Sequence, residues 1–236
     1  MNILIPMAGE GSRFSKEGYT FPKPLIDVNG KPMIQAVVEN LDFNANYIFL
    51  VRKEHLEKYE GLQDTLERIT NGRCKIVKVD GLTEGAACTA LLAKEYIDND
   101  EDLLIANSDQ IIEYSPENFN LIKELTNFDA MVYTFEAVHP KWSFVKTNSR
   151  GVIVEVAEKK PISNIATCGI YWYRKGSDFV KYAEKMIDKD IRVNNEFYIA
   201  PVYNELIDDG LTLVPFFVHE MWGIGTPEDL RSFLEK

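Results

Sequence analysis

The sequence predicts an α/β fold, a single Rossmann-like domain over residues 1–236. Its mostly parallel (mixed) central sheet is flanked by helices, and a smaller antiparallel subregion lies in the second half. Three observations predict it. Short apolar runs, too brief for helices, alternate with longer stretches at helical spacing over about the first 110 residues. That strand–helix–strand order implies right-handed crossovers and parallel pairing. Beyond about residue 128 several apolar runs follow one another with only turns between them, as antiparallel strands do.

Taken in order, Ile3–Pro6, Tyr47–Val51, Lys75–Val79 and Leu103–Ala106 read as buried strands. Pro32–Leu41, Glu54–Thr70 and Gly85–Ile97 carry apolar residues at helical spacing, with Pro32 suited to a first helical position. In the second half Ala130–Ala137, Phe144–Lys146, Gly151–Val156 and Thr167–Tyr173 read as strands. Helices are expected over Gly176–Lys185 and Glu196–Asp208, then a strand over Leu213–Val218. The last helix has a full start signal: Thr226 as N-cap, Pro227 as first residue, Glu228 and Asp229 in the first turn.

With 236 residues, 45% of them hydrophobic, the chain can bury a sizeable core. Thirty-seven acidic residues against 26 basic ones give a net charge of -11, without the basic footprint of a general nucleic-acid binder. A single nucleotide is still admissible, since it needs only a few local cations and backbone N–H groups. Cys74, Cys88 and Cys168 show neither metal spacing nor a disulfide framework and are expected as small buried hydrophobes in a reducing compartment. The start, Met1-Asn2-Ile3-Leu4-Ile5-Pro6, has no basic region and no long apolar run, so a cytoplasmic protein without a membrane partner is expected. His55, His139 and His219 show no triad or metal spacing.

The stretch richest in chemistry is Pro6-Met7-Ala8-Gly9-Glu10-Gly11-Ser12-Arg13-Phe14, directly after the first strand. Open α/β sheets bind ligands at the carboxyl ends of their strands. Gly9 and Gly11 let backbone N–H groups approach phosphate oxygens, and Arg13 offers a planar cationic fork to the same anion. Ten residues on, Phe21-Pro22-Lys23-Pro24-Leu25 holds Lys23 on a stiff, proline-flanked segment. The dinucleotide and P-loop patterns are both absent. On its glycines alone the loop reads equally as a tight surface turn with two solvated cations.

Gly9, Gly11, Ser12 and Arg13 followed by Lys23-Pro24-Leu25 closely resemble the signature of the sugar-phosphate nucleotidyltransferases, the nucleoside-diphosphate-sugar pyrophosphorylases. The resemblance continues in Thr83-Glu84-Gly85-Ala86-Ala87, in Asn107-Ser108-Asp109, in Glu158-Lys159 and in Gly225-Thr226-Pro227-Glu228-Asp229. It implies transfer of an NMP unit from an NTP to a phosphorylated metabolite, with release of pyrophosphate. Residues 1–127 would form the nucleotide-binding half and 128–236 the acceptor-binding half. Arg13 and Lys23 would be catalytic. Met7, Ala8, Gly9, Gly11, Ser12, Asp80, Gly85 and Asp109 would bind nucleotide, with Asp109 also the ligand of Mg²⁺, for which Mn²⁺ could substitute. Glu158, Lys159, Gly169 and Glu196 would face the acceptor. The partners would be an NTP and a small phosphorylated substrate. Asp109 otherwise reads as a turn former, Lys159 with Lys160 as a solvated pair, and Gly225-Thr226-Pro227 as a helix start and nothing more.

Two departures from the family pattern stand out. Where the family usually carries a second metal aspartate, this chain has Gly223, which cannot ligate. Either Asp109, phosphates and water suffice, or His219 or Glu220 takes the role. Near the base, a glutamine common in the family is replaced by Asp80. A carboxylate only accepts hydrogen bonds, so Asp80, if it reaches the base, suits the amino group of cytosine or the donors of guanine, with a slight lean towards CTP. Its rival reading is a strand-end residue of the Asp80-Gly81 turn. Segments around Trp142, Gly169 and Tyr198 suit a sugar ring and also suit core and turn roles. A metal-dependent glycosyltransferase of similar fold is the rival enzyme, although Asn107-Ser108-Asp109 has only the second acid of an Asp-x-Asp motif. A non-catalytic nucleotide sensor is the rival outside enzymes.

Overall fold

A computed structural model describes the whole chain, Met1–Lys236. Strand β1 (Asn2–Pro6) leads through a short helix α1 (Ser12–Lys16) and a 3-10 turn (Lys23–Leu25) to a hairpin, β2 (Asp27–Val28) and β3 (Lys31–Pro32), and to α2 (Met33–Leu41). There follow β4 (Asn46–Arg52), α3 (Lys53–Lys58), α4 (Gly61–Ile69), β5 (Cys74–Val79), α5 (Ala86–Leu91), α6 (Lys94–Ile97) and β6 (Leu103–Ala106). Next come β7 (Gln110–Glu113), α7 (Pro116–Leu125), β8 (Ala130–Glu136), β9 (Ser143–Thr147), β10 (Ile153–Glu158) and β11 (Ile165–Tyr173). The chain ends in α8 (Gly176–Asp188), α9 (Val202–Asp208), β12 (Leu213–Phe217), β13 (Glu220–Gly223) and α10 (Pro227–Leu234).

Side-chain alternation in the central strands divides the core in two. Ile3 and Ile5 enter one apolar cluster with Phe49, Val51, Leu104 and Ala106, while Leu4 enters another with Ile48, Leu50, Leu103 and Ile105. Both faces are covered, which is why these runs are continuously apolar. Helix α2 closes the first face with Val37, Val38 and Leu41; α8 closes the second with Phe179, Ala183 and Met186. Each of the larger side chains among these, fully buried, contributes roughly 1.5–3 kcal/mol.

The expected α/β architecture is present. Strand β1 lies between β4 and β6, parallel to both, and β5 adds in parallel beyond β4. Strand β11 joins antiparallel, its Ile170–Tyr173 end beside β6 and its Ala166 beside Phe144 of β9, with β8 along its other edge. Strand β12 then adds parallel to β8, and β10 pairs antiparallel with β9, completing nine strands. One sheet therefore runs across both halves of the sequence. A separate ribbon pairs β7 with β13 and sets Gln110 opposite Gly223. Because β1 and β6 are parallel neighbours, the loops that leave their carboxyl ends, Met7–Gly11 and Asn107–Asp109, emerge side by side.

Four expected elements differ. Glu54–Thr70 is two helices, α3 and α4, because Tyr59 leaves helical geometry at φ -118° and sends its hydroxyl to the Thr20 carbonyl at 3.1 Å. Gly85–Ile97 is likewise split into α5 and α6. Gly85 itself, at φ 134°, stays outside the helix. In Glu196–Asp208 only Val202–Asp208 is helical, since Glu196 bridges back to Val193 and Phe197 binds the backbone of Glu84. Pro32 is the extended residue before α2, held there by its pairing with Asp27. The Thr226 cap is as expected, its hydroxyl accepting from the Asp229 N–H at 3.1 Å. All three cysteines are free, but only Cys168 is buried; Cys74 and Cys88 are partly exposed. No helix is long and apolar enough to cross a membrane.

Candidate active site

The loop after β1 lines a polar cleft of about 380 Å³ together with the proline-flanked Lys23 and the loop after β6. Gly11 sits at φ 62°, and a Cβ there would come within 3.2 Å of the Lys23 Cβ. Glycine thus satisfies both the left-handed turn and the close approach of the lysine segment. Arg13 is exposed towards the cleft, while its neighbour Phe14 is buried and packs edge-on against Tyr19 at 5.1 Å, anchoring α1.

Lys23 Nζ forms an ion pair with Asp109 Oδ2, the two side chains being 22% and 25% exposed. Asp109 is held from the other side by its carbonyl, which accepts from the Ile224 N–H at 2.8 Å. Its carboxylate lies so close to Gly225 that a Cβ at 225 would collide with it, leaving only 2.9 Å to the Asp109 Cγ. Gly225 therefore does more than precede a helix: it makes room for the acid.

A second cleft, of about 340 Å³, opens beside the glycine turn, lined by Ala8, Gly9, Gly81, Thr83, Gly85 and Glu196 among others. Gly85 is required there, since a Cβ would stand 2.5 Å from the Phe197 N and O. Asp80 does not enter this cleft. Its side chain is 84% exposed and lies 3.9 Å from Lys53 Nζ. Glu196, expected to face the acceptor, lines this cleft beside the glycine turn. It stands on a tight turn, Asn194 at φ 50° and Asn195 at φ 63°. Arg192 braces that turn through Glu84 at 2.6 Å and by covering the Phe197 ring at 4.1 Å.

The third cleft, about 430 Å³, shares Arg13, Asn107, Asp109 and Gly225 with the first, so the two meet around Asp109. Glu158, Lys159 and Gly169 all line it. The Glu158 carboxylate accepts from the Ser143 hydroxyl. Burial raises its pKa above the ordinary carboxylate value, more than the Ser143 bond and nearby Lys159 lower it; Glu196 adds like-charge repulsion. Lys159, left-handed at φ 55°, sends Nζ to the Tyr198 hydroxyl at 2.5 Å and lies over that ring. Gly169 bulges at φ 72°, and a Cβ there would meet the side-chain amides of Asn107 and Gln110.

The structure also adds Lys141, which sequence reasoning did not single out. Lys141 pairs with Asp229 at 3.1 Å and lies over the Trp142 ring at 4.6 Å, and all three line the third cleft. Asp229, a first-turn acid of α10, is the cleft's acid nearest to position 223: a Cβ on Gly223 would be 4.0 Å from its Oδ2. His219 and Glu220 do not take the role of a second ligand. Both line a different groove, where Glu220 pairs with Lys236 at 2.6 Å. No three His, Cys, Asp or Glu side chains gather as a ready metal cage. Asp109 nevertheless fits Mg²⁺ as a lone hard oxygen donor at the meeting of two polar clefts, since that ion is usually held by one or two carboxylates plus substrate phosphates.

A family model described as nucleotidyl transferase matches residues 3–236. The "Bifunctional protein GlmU" of Methanocaldococcus jannaschii is 29% identical over 178 residues, 74% of this chain and 40% of that protein. The "Low-salt glycan biosynthesis nucleotidyltransferase Agl11" of Haloferax volcanii is 26% identical over 235 residues, 98% of this chain and 64% of that protein. The chain spans 40% and 64% of the length of these two curated relatives. Among solved structures, the nucleoside-diphosphate-sugar pyrophosphorylase of Vibrio cholerae RC9 superposes with a TM-score of 0.84 at 26% identity, covering 99% of this chain and 100% of that one.

Proposed function

The chain belongs to the nucleotidyl transferase family, and from that premise we propose that it transfers an NMP unit from an NTP to a small phosphorylated acceptor, in the class of sugar phosphates, and releases pyrophosphate. The observation that carries this reading is the meeting of Lys23 and Asp109 beneath the Gly9–Arg13 loop. An acceptor phosphate oxygen forms a bond to the α-phosphorus while the bond from that phosphorus to the bridging oxygen of the β-phosphate breaks in line. The acceptor phosphate is already a nucleophile at pH 7, so no protein base is needed. Both reactants are anions, and the protein's task is neutralisation and alignment.

Arg13 and the loop N–H groups hold the departing phosphates, Lys23 meets the charge that grows on the α-phosphate, and Lys159 steers the incoming phosphate. Asp109 would hold Mg²⁺, which when bound supplies further neutralisation of the phosphate oxygens. The lean towards CTP passes from Asp80 to Glu196, an acceptor-only carboxylate in the cleft beside the glycine turn. Cytosine offers an amino group to such an acid.

The test is pyrophosphate release with CTP, UTP, GTP, dTTP and ATP against a panel of hexose 1-phosphates and other phosphomonoesters, repeated with Glu196→Gln. Release that depends on one NTP and one acceptor is expected, and the variant should lose preference among NTPs. Absence of both NTP binding and release would remove the reading; an unchanged preference in the variant would remove only the assignment of Glu196.

A further inference from the structure

Three residues with side chains adopt the left-handed backbone region within one short stretch: Asp190 at φ 52°, Asn194 at φ 50° and Asn195 at φ 63°. Asn194 and Asn195 form the tip of a tight hairpin, in which Val193 and Glu196 exchange both backbone hydrogen bonds at 3.0 Å. A two-residue turn of this kind needs positive φ at both central positions, which asparagine tolerates better than most residues. The hairpin delivers Glu196, the carboxylate that lines the cleft beside the glycine turn. Whatever holds the hairpin therefore sets where that carboxylate stands.

Arg192 holds it. The guanidinium donates to the Asp190 carboxylate, to Glu84 at 2.6 Å and to the Asn195 carbonyl at 3.4 Å, and it lies 4.1 Å from the centre of the Phe197 ring. Glu84 belongs to the glycine turn on the opposite wall of the cleft, so one side chain clasps the two walls together. Two backbone bonds join the walls as well, from the Phe197 N–H to the Glu84 carbonyl at 2.8 Å and from the Ala87 N–H to the Phe197 carbonyl at 2.9 Å. Those bonds anchor Phe197 and leave the hairpin before it to Arg192. The Glu84 and Asp190 side chains are 66% and 72% exposed, so their ion pairs add little to global stability. Geometry is the better reason for their convergence: a rigid planar fork fixes several acceptors at once, as an ammonium on a flexible stem does not. Arg192 lines none of the three clefts.

Resting on the nucleotidyl-transfer reading above, we propose that Arg192 is a positioning residue for the nucleotide. By clasping the hairpin to the glycine turn it holds the Glu196 carboxylate against the base of the NTP. It thereby sets the preference among NTPs without touching the reacting phosphates.

The experiment uses the full chain with Arg192→Met, Glu196→Gln and the two combined. Methionine keeps an apolar stem over the Phe197 ring and removes every donor. Four quantities are compared: equilibrium binding of each NTP, steady-state pyrophosphate release, thermal melting, and amide hydrogen exchange over residues 190–197. In Arg192→Met the Kd and KM of the preferred NTP should rise about tenfold, the effect of misplacing one charged hydrogen-bond acceptor. The other NTPs should change little, kcat at saturating NTP should stay within about twofold, and the melting temperature should hold. The Val193 and Glu196 amides should exchange faster while that of Phe197 does not. Because Arg192 acts through Glu196, adding Arg192→Met to Glu196→Gln should weaken NTP binding no further. Additive losses in the double variant would overturn the proposal, and so would an unchanged NTP Kd in Arg192→Met. A variant that melts lower and loses all NTPs alike would mark a merely structural arginine and overturn it too. NTP binding that depends on Arg192 as expected, without pyrophosphate release in the wild type, would count against the transfer reading and support the role of Arg192.

Discussion

Lys23 and Asp109, 86 residues apart in the chain, meet as an ion pair at the carboxyl ends of the central strands. One comes from a 3-10 turn fenced by Pro22 and Pro24, the other from the loop after β6. Both are about three-quarters buried, so each neutralises the other until a charged ligand enters.

Replacing Lys23 with Met should therefore lower kcat far more than it weakens NTP binding. Loss of one preorganised donor to transition-state charge costs about 10²–10³-fold in kcat. Single-turnover pyrophosphate release beside equilibrium NTP binding separates the two effects. An equal loss in both would assign Lys23 to ground-state binding instead.

The same ion pair bears on the metal. With Asp109 already paired and no cage of three ligands nearby, nucleotide-free protein should bind Mn²⁺ weakly. Nucleotide phosphates supply the missing oxygens, so NTP should tighten Mn²⁺ binding about tenfold or more. Mn²⁺ electron paramagnetic resonance titrations read this directly. Chelation should stop pyrophosphate release, and Mg²⁺ or Mn²⁺ should restore it. A tight site in the absence of nucleotide would contradict the single-carboxylate assignment.

Gly85→Ala should damage both stability and nucleotide binding. The residue sits at φ 134°, and an added Cβ would meet the Phe197 backbone at 2.5 Å. Such backbone strain costs about 1–3 kcal/mol. Urea denaturation should show that loss, and the NTP KM should rise because the turn 83–86 must move. A variant with unaltered stability would mean that the Phe197 segment yields without cost.

Glu158 gives a pH signature of definite sign. Its pKa is raised in the folded protein, mainly by burial, above the unfolded value of 4.5. Between the unfolded and folded values the native state binds more protons, so stability falls as pH rises through that window. Glu158→Gln, which still accepts from Ser143, should hold or raise the melting temperature at pH 7. Below the unfolded value, where the acid is protonated in both states, the variant's advantage should vanish. A variant that is less stable at pH 7 than the wild type would show that the carboxylate is favourably compensated.

The order of strands and helices was legible because it is written in local chain chemistry. Continuous apolar runs at Ile3–Pro6 and Tyr47–Val51, and Thr226-Pro227 before α10, depend on neighbours a few residues away. Gly9, Gly11, Arg13, Lys23 and Asp109 were legible as a set, by motif and order, and the structure brings all five to one cleft. Local pattern failed where a distant contact overrode it: Tyr59 breaks a helix to reach Thr20, and Phe197 holds Glu196 out of one.

The sequence by itself determined the α/β fold, the glycine loop after β1 and the cations and acid that share its cleft. Tertiary structure alone decided which polar side chains face which cleft. Asp80 turns to solvent beside Lys53, whereas Glu196, far along the chain, lines the cleft beside the glycine turn. Gly225 has to be small because Asp109 rests against it, and Gly169 because the side-chain amides of Asn107 and Gln110 do. Helical and strand periodicity are properties of adjacent residues, but the lining of a cleft is set by packing between segments far apart in the chain, where a single backbone turn reverses what a side chain meets.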